Sequence, residues 1–252
     1  MRVTFLGTGT SGGVPVINCG CAVCLSKNPK NKRLRCSVMV ETEQQKILID
    51  AAPDLRQQLL TYPFARIDAV LFTHTHADHI FGLDELRRFN YLQQAPIPVY
   101  GNEATIRKLQ TIFDYAFVKE SWTPGRPSLV AHVVKNSVEI GGLPVIPVPL
   151  DHGRQRILGF RMGGFAYCTD VSHIPPESYR LLVNLDVLVL DALREKSHPT
   201  HFTLDEAISE AQKIQARRTY FTHISHVLDH EIHGRKLPEN CAFAHDGLVL
   251  DL

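Results

Sequence analysis

The chain has no long hydrophobic run and almost no net charge. Its 27 Lys and Arg residues nearly balance its 26 Asp and Glu residues, leaving a formal net charge of +1 at pH 7. No apolar stretch approaches the length of about 20 residues that a membrane-spanning helix needs. A balanced charge also gives no electrostatic reason to expect a nucleic acid as partner. These absences argue against a membrane-embedded protein and disfavour a nucleic-acid-binding one.

A signal-peptide layout is also missing from the first residues. The segment 1–7 begins at once with a strand pattern, so we expect a cytoplasmic location. With 252 residues, 44% hydrophobic and 21% charged, the chain has the size and composition of one large α/β domain. Since no linker or low-complexity segment divides it, we expect a single domain over residues 1–252.

Histidine, by contrast, is abundant, with 13 residues. The densest cluster is His74-Thr-His76-Ala-Asp78-His79, which directly follows the apolar run 69–72. Imidazole and carboxylate together suit zinc, manganese or iron. One ion cannot easily use all four groups, so we expect His74 and His76 to face one ion, and Asp78 and His79 a second ion beyond a bend. Two ions that clamp a phosphoryl or acyl centre are typical of hydrolases.

Hydrophobic periodicity predicts strands that alternate with helices. The predicted strands are 2–6, Ser37–Glu41, Lys46–Ile49, 67–72, 97–100, 130–134, 143–149, 157–162, Phe165–Cys168, 187–190 and 219–221. The predicted helices are 53–60, 83–92, 103–117, 175–182 and Leu204–Ile214, the last introduced by a capping box of Thr203 and Glu206. This pattern predicts two β-rich halves, each covered by helices.

Four further polar residues occur where predicted strands end. They are Asp50, His152, Asp170 and His223. Strand ends place side chains on a shared rim while the sheet fixes their backbone. Together with the histidine cluster, these residues complete two sets of metal ligands.

Three of the six cysteines form a compact C-x-C-x-x-C motif, Cys19, Cys21 and Cys24. Such spacing suits metal thiolates better than disulfides in a reducing compartment. Three thiolates leave a tetrahedral zinc ion one ligand short, so the fourth ligand must come from elsewhere in the chain.

The T-H-T-H-A-D-H run, followed by single His, Asp and His residues at later strand ends, resembles the metallo-β-lactamase superfamily over nearly the whole chain. The resemblance implies a four-layer αββα sandwich with a dinuclear site on one edge. Manganese or zinc would be held there, with His74, His76 and His152 on the first metal, Asp78, His79 and His223 on the second, Asp170 bridging them and Asp50 orienting a ligand histidine.

The glycine-rich segment 7–15 followed by the cysteine motif is similar to the phosphodiesterases of phosphonate degradation, which open phosphoribosyl 1,2-cyclic phosphate. In that branch a structural zinc takes its fourth ligand from a histidine three residues after the last active-site histidine, which here is His226. The cysteine motif is shared with a relative from pyrroloquinoline quinone biosynthesis, so it does not fix the substrate. The resemblance to this branch also suggests a homodimer.

The same resemblance implies a general acid in the loop that contains His198 and His201, with His201 the better match and His198 its rival. Asp78 would ligate metal and accept a proton from the nucleophile. The loop 7–13 is expected either to offer backbone N–H groups to phosphate or to form a simple tight turn. Arg33 and Arg35 could bind an anion, but we expect the basic stretch around them to be solvated.

We therefore predict a hydrolase of a small, cyclic phosphodiester. A ribonuclease Z-like nuclease would use the same metals but would need a basic arm to grip RNA. A thioester hydrolase of the glyoxalase II type shares T-H-x-H-x-D-H but does not need the cysteine motif. A non-enzymatic binding module would have lost ligands, and this sequence retains the complete set.

Overall fold

The structure, a computed structural model, describes residues 1–118 and 125–252. Within them, fourteen strands form two sheets of seven. The strands are β1 Arg2–Gly7, β2 Ser37–Glu41, β3 Lys46–Ile49, β4 Ala69–Leu71, β5 Ile97–Gly101, β6 Leu129–Val133, β7 Val138–Ile140, β8 Leu143–His152, β9 Gln155–Met162, β10 Phe165–Cys168, β11 Val187–Asp191, β12 Arg218–Thr222, β13 Cys241–Phe243 and β14 Val249–Asp251.

Short helices connect these strands. The α-helices are α1 Ala22–Leu25, α2 Leu55–Thr61, α3 Ala77–Ile80, α4 Arg87–Gln93, α5 Glu103–Ile112, α6 Pro176–Tyr179, α7 Leu204–Ile214 and α8 His230–Gly234. Turns of 3-10 helix cover Pro29–Asn31, Leu83–Leu86 and Asp114–Ala116. In the described part of the chain, no helix is both long enough and apolar enough to cross a membrane.

Each sheet combines parallel and antiparallel pairing. The first sheet has the order β14-β1-β2-β3-β4-β5-β6, and the second β13-β12-β11-β10-β9-β8-β7. Strands β3 to β6 are parallel to one another, as are β10 to β13. Because parallel strands end at the same edge of a sheet, the loops that follow β3, β4, β10, β11 and β12 can meet along one rim.

Three apolar clusters separate the layers. Phe5, Ile47 and Phe160 belong to the cluster between the two sheets. A second cluster joins the outer face of the first sheet to α2, α4 and α5, and a third joins the second sheet to α6 and α7. Alternation along β3 illustrates the reason, since Ile47 points to the inner cluster and Leu48 to the outer one. The predicted αββα sandwich is confirmed.

Most predicted elements are present with shifted ends. The capping box at α7 is confirmed, with Thr203 Oγ1 accepting from the Glu206 N–H and Glu206 Oε2 from the Thr203 N–H. The helix predicted over 103–117 ends at Ile112, and a separate 3-10 turn follows. The helix predicted over 175–182 is shorter, because its last turn uses tighter bonds, such as that from the Leu182 N–H to the Tyr179 carbonyl.

Candidate metal centre

The histidine cluster lies at the end of β4. The chain passes through His74 and bends at His76, whose backbone is extended (φ −67°, ψ 152°), before it enters α3. Helix α3 carries Asp78 and His79, so the start of this helix is the predicted bend. His76 is exposed, whereas the other three side chains are buried.

The strand ends bring the remaining predicted residues to this cluster. The predicted ligands of the dinuclear site form two groups in which all potential ligand atoms lie within 4.8 Å of one another. One group consists of His74, His76, His152 and Asp170, and the other of Asp78, His79, Asp170 and His223. Asp170 belongs to both groups, which is the position expected of a bridging ligand.

The hydrogen bonds of His74 orient its lone pair into the cluster. The Thr73 hydroxyl donates to Asp50 Oδ2 at 2.8 Å and lies 2.9 Å from His74 Nδ1. Since the single proton of that hydroxyl is used on Asp50, His74 Nδ1 must donate to the Thr73 oxygen. Nε2 of His74 therefore carries a lone pair, and it is buried without a hydrogen-bond partner among the described residues. A buried unpaired acceptor of this kind fits a metal ligand.

Two other histidines are fixed in the same way. His79 Nδ1 donates to Asp50 Oδ2 at 2.7 Å, and His152 Nδ1 donates to the Thr200 carbonyl at 2.6 Å. Both rings thus keep Nε2 for the interior of the site. Histidine ligands of metals are usually held by such a bond from the second ring nitrogen. Asp50 occupies the orienting position that the sequence predicted.

The electrostatics of the site favour bound cations. Burial opposes a charge on His79, but the carboxylates of Asp170 and Asp50 outweigh it and raise the pKa of His79 well above its ordinary value. Burial, together with the nearby His79, lowers the pKa of His74 well below its ordinary value. The site therefore combines neutral imidazole with carboxylates that attract positive charge, and it fits divalent ions.

His201 lies beside the second ligand group, and the buried Asp191 carboxylate holds its ring by a hydrogen bond. Its Nδ1 donates to Asp191 Oδ2 at 2.9 Å, while Asp191 Oδ1 accepts the Val171 N–H at 2.8 Å. The His201 ring stacks on His223 with centroids 4.7 Å apart. His198 lies farther out, 5.1 Å from the His201 ring. Of the two rivals for the general acid, His201 is therefore the one that reaches the ligand groups.

The cysteine motif and His226 also come together. Nδ1 of His226 lies 3.2 Å from Cys19 Sγ, 3.5 Å from Cys21 Sγ and 3.6 Å from Cys24 Sγ. A hydrogen bond from the Cys24 N–H is the main cause that lowers the pKa of Cys21 to about 6. Three sulfur atoms around one imidazole nitrogen fit a tetrahedral zinc ion.

The basic stretch differs from the prediction, because Arg33 is buried rather than solvated. Arg33 is only 2% exposed, and one of its terminal nitrogens donates to the Thr8 hydroxyl and the Ala244 carbonyl, both at 2.7 Å. Its other terminal nitrogen donates to His230 Nδ1 at 3.0 Å. Arg35 donates to Asp54 Oδ1 at 2.8 Å. Both guanidinium groups are thus engaged in hydrogen bonds within the protein.

The loop 7–13 is similarly occupied by internal bonds. The Gly9 N–H donates to the Leu34 carbonyl, the Thr10 N–H to the Ile224 carbonyl and the Gly13 N–H to the Thr10 carbonyl. These donors are used within the protein, which favours the tight turn over the phosphate cradle. Through Ile224 the loop also supports the segment 223–226, which supplies one ligand to each candidate site. His223 has a positive φ of 57°, which is uncommon for a residue with a side chain.

The sequence reasoning missed three supporting residues: Asp191, Thr73 and Thr200. Asp191 ends an apolar strand, in the same position as the predicted ligands, and this was an available signal. Thr73 precedes the first histidine of the cluster and has no distinctive pattern. Thr200 contributes its backbone carbonyl. Because every residue has one, the sequence gives no sign of this role.

Comparison with known proteins identifies the family. A model described as the β-lactamase superfamily domain matches residues 45–224, so the chain belongs to this superfamily. A crystal structure described as a new diphosphatase from the PhnP family is 47% identical, with a TM-score of 0.93, and the match covers 100% of this chain and 97% of that one. Fold and site together define a metal-dependent hydrolase.

Two other relatives widen the comparison. Zinc-bound PqqB from Methylobacterium extorquens has a TM-score of 0.81 at 23% identity over 100% of both chains, which shows the shared fold. An octanoyltransferase from Porphyromonas gingivalis is 37% identical over 98% of this chain but only 51% of its own length. The chain thus spans about half the length of the curated relatives that it matches.

Proposed function

We propose that the protein is a dinuclear-metal phosphodiesterase that hydrolyses a small, cyclic phosphodiester. The observation that carries the proposal is the pair of ligand groups that share Asp170. Support also comes from the similarity to a PhnP-family diphosphatase along the whole chain. Because ligands come from both halves of the chain, we propose that residues 1–252 work as one catalytic domain.

The assignment of the ligands follows the two groups. His74, His76 and His152 would hold one ion, Asp78, His79 and His223 the other, and Asp170 would bridge them. When bound, two manganese or zinc ions supply Lewis acidity, which acidifies water and neutralises charge on a phosphoryl group. The site formed by the cysteine motif and His226 would hold a structural zinc ion.

Two side chains would move protons. Asp78 turns Oδ2 toward the imidazoles of His79 and His223, at 3.3 Å and 3.4 Å, so Oδ1 remains to accept a proton from the attacking water. His201, held by Asp191, would return a proton to the leaving oxygen. General acid catalysis of this kind contributes on the order of a hundredfold or more in rate.

Metal analysis and hydrolysis assays test the proposal together. We expect about three metal ions per chain and manganese- or zinc-dependent hydrolysis of bis(p-nitrophenyl) phosphate and a 2′,3′-cyclic nucleotide. About one ion and no hydrolysis of either compound would mean that the dinuclear assignment is wrong while the cysteine site remains. A cytoplasmic location and a homodimer stay predictions, and cell fractionation and light scattering test them.

A second candidate is hydrolysis of an acyl thioester. It is favoured by the octanoyltransferase relative, whose matched half is 37% identical to this chain, and by the ability of two ions to clamp an acyl centre. Octanoyl-coenzyme A is the appropriate probe, with release of free thiol as the readout. Turnover of this thioester without turnover of any phosphodiester would replace the first proposal by the second.

A further inference from the structure

A small cavity is lined by residues of the 3-10 turn Pro29–Asn31, of α8 and of β13. Its volume is about 230 Å³, and its lining, as far as the structure describes it, includes no predicted metal ligand. The Asn31 side chain joins the turn to α8, since its amide donates to Asp229 Oδ2 at 2.7 Å and its oxygen accepts the His230 N–H at 2.9 Å. Because these bonds fix the two segments to each other, the cavity is formed before any ligand binds.

The ring of His230 supplies a hydrogen-bond donor to this cavity. A terminal nitrogen of Arg33 donates to His230 Nδ1 at 3.0 Å, and guanidinium can only donate, so the proton of the neutral ring is on Nε2. Burial, and then Arg33 and Lys30, lower the pKa of His230 to about 4, so the ring is neutral at pH 7. Among the described residues, Nε2 has no hydrogen-bond partner, and it is not one of their buried unpaired atoms. The ring therefore presents an accessible N–H donor.

Positive side chains surround this donor. Lys30 and Arg235 line the cavity, and neither forms a salt bridge with any residue that the structure describes. The buried guanidinium of Arg33 lies behind the His230 ring and stays charged at every working pH. Glu231 is the acidic residue of the lining, so the positive groups outnumber it. A neutral N–H donor between unpaired cations suits an anionic oxygen.

We propose that this cavity is an anion-binding site, distinct from the metal centre, which takes the phosphate or carboxylate group of a small molecule other than the substrate. His230 Nε2 would donate to an oxygen of the anion, and Lys30 and Arg235 would balance its charge. The Phe243 ring, whose centroid is 6.0 Å from that of His230, gives the cavity one apolar wall. The inference does not depend on the proposed phosphodiesterase function, because no predicted metal ligand takes part in it.

Nuclear magnetic resonance of the zinc-loaded protein tests the site, with inorganic phosphate as the probe. The ring nitrogen signals of His230 are assigned by their absence in His230→Gln, and we expect them to shift saturably as phosphate is added at constant ionic strength. Lys30→Gln should raise the Kd about two- to fivefold, because it removes one partly exposed attraction. Lys27→Gln is the matched control and should leave the Kd unchanged, since this exposed lysine of the same stretch does not line the cavity. Equal melting temperatures verify that the variants fold.

The variant His76→Ala separates this site from phosphate bound at the metal centre. A shift of His230 that keeps its Kd in His76→Ala and weakens in Lys30→Gln would support the site, whether or not the protein hydrolyses phosphodiesters. A shift that does not saturate, that weakens equally in Lys27→Gln and Lys30→Gln, or that disappears in His76→Ala would overturn it, because the anion would then act by screening or through the metal centre. Acetate is titrated in the same way, and a Kd below that of phosphate would assign the site to carboxylates.

Discussion

Asp191 offers a sharp test of the proton-transfer chemistry, because among the described residues its carboxylate hydrogen-bonds to His201 and to no predicted metal ligand. It lies within 4.8 Å of one such ligand, His223, without a hydrogen bond to it. Asp191 is fully buried and accepts two hydrogen bonds, from the Val171 N–H and from His201 Nδ1. Asp191→Asn keeps the size and an oxygen for the Val171 N–H. The new amide N–H₂ faces His201 Nδ1, so the imidazole has to reverse its tautomer and loses the oxygen acceptor that holds its Nδ1–H.

The size of the effect follows from that single bond. A hydrogen bond to a charged group contributes about 1.5–3 kcal/mol, which corresponds to roughly ten- to a hundredfold in rate. This loss should occur only when the leaving oxygen needs a proton. We therefore expect kcat for a 2′,3′-cyclic nucleotide, whose leaving group is an alkoxide, to fall by that factor in Asp191→Asn. Hydrolysis of bis(p-nitrophenyl) phosphate should change little, because p-nitrophenolate leaves without a proton.

The assay is a steady-state comparison of the two substrates, with melting temperatures as a control for folding. The double variant Asp191→Asn with His201→Ala should be no slower than His201→Ala alone, because both changes remove the same contribution. An equal loss on both substrates would refute the reasoning, since it would mean that Asp191 supports the metal centre instead of the proton transfer.

Three further changes and one control variant probe the rest of the molecule. His76→Ala should reduce hydrolysis by on the order of a hundredfold or more, because the substitution removes one metal ligand. The melting temperature should stay unchanged, because the His76 side chain is exposed. Retained turnover would contradict the dinuclear site. Cys21→Ser should lower zinc content and melting temperature more than it lowers kcat, since a structural ion contributes folding energy; unchanged zinc content would exclude this role. Arg33→Met should destabilise the protein by about 3 kcal/mol in urea unfolding, because it leaves buried acceptors unpaired, whereas Arg107→Met on an exposed helical pair should cost less than about 0.5 kcal/mol.

The fold and the candidate ligands were predictable because periodicity and residue type carry the information. The strand that delivers His74 is wholly apolar, and the ligands that follow the strands are histidines and aspartates at abrupt changes of pattern. His226 was predictable only through the resemblance to a family, since its spacing from His223 has no local meaning. The short strands β7, β13 and β14 were not predicted, because three-residue pairings at or near sheet edges leave little periodicity.

The environment of side chains was harder to predict than their positions. Arg33 lies in a stretch with four other basic residues, which is typical of a solvated surface. It is buried because Thr8, Ala244 and His230 provide its acceptors, and these residues are far away in sequence. The support of His201 by Asp191 depends likewise on β11 and on the loop that follows it. Such contacts come from tertiary packing, which one-dimensional patterns do not encode.

The pairing of β1 with β14 has a consequence for how the chain can be joined to other domains. The Met1 amino group donates to the Leu252 carbonyl at 2.7 Å, and Arg2 lies opposite Asp251. Strand β1 extends over six residues from Arg2 to the loop beside the metal centre. At the usual rise per residue of a strand, this length is about 17 Å. A domain fused to either end would thus be tethered at one point remote from the centre. A short loop that joins the two ends would leave every ligand in place, so the chain lends itself to circular permutation.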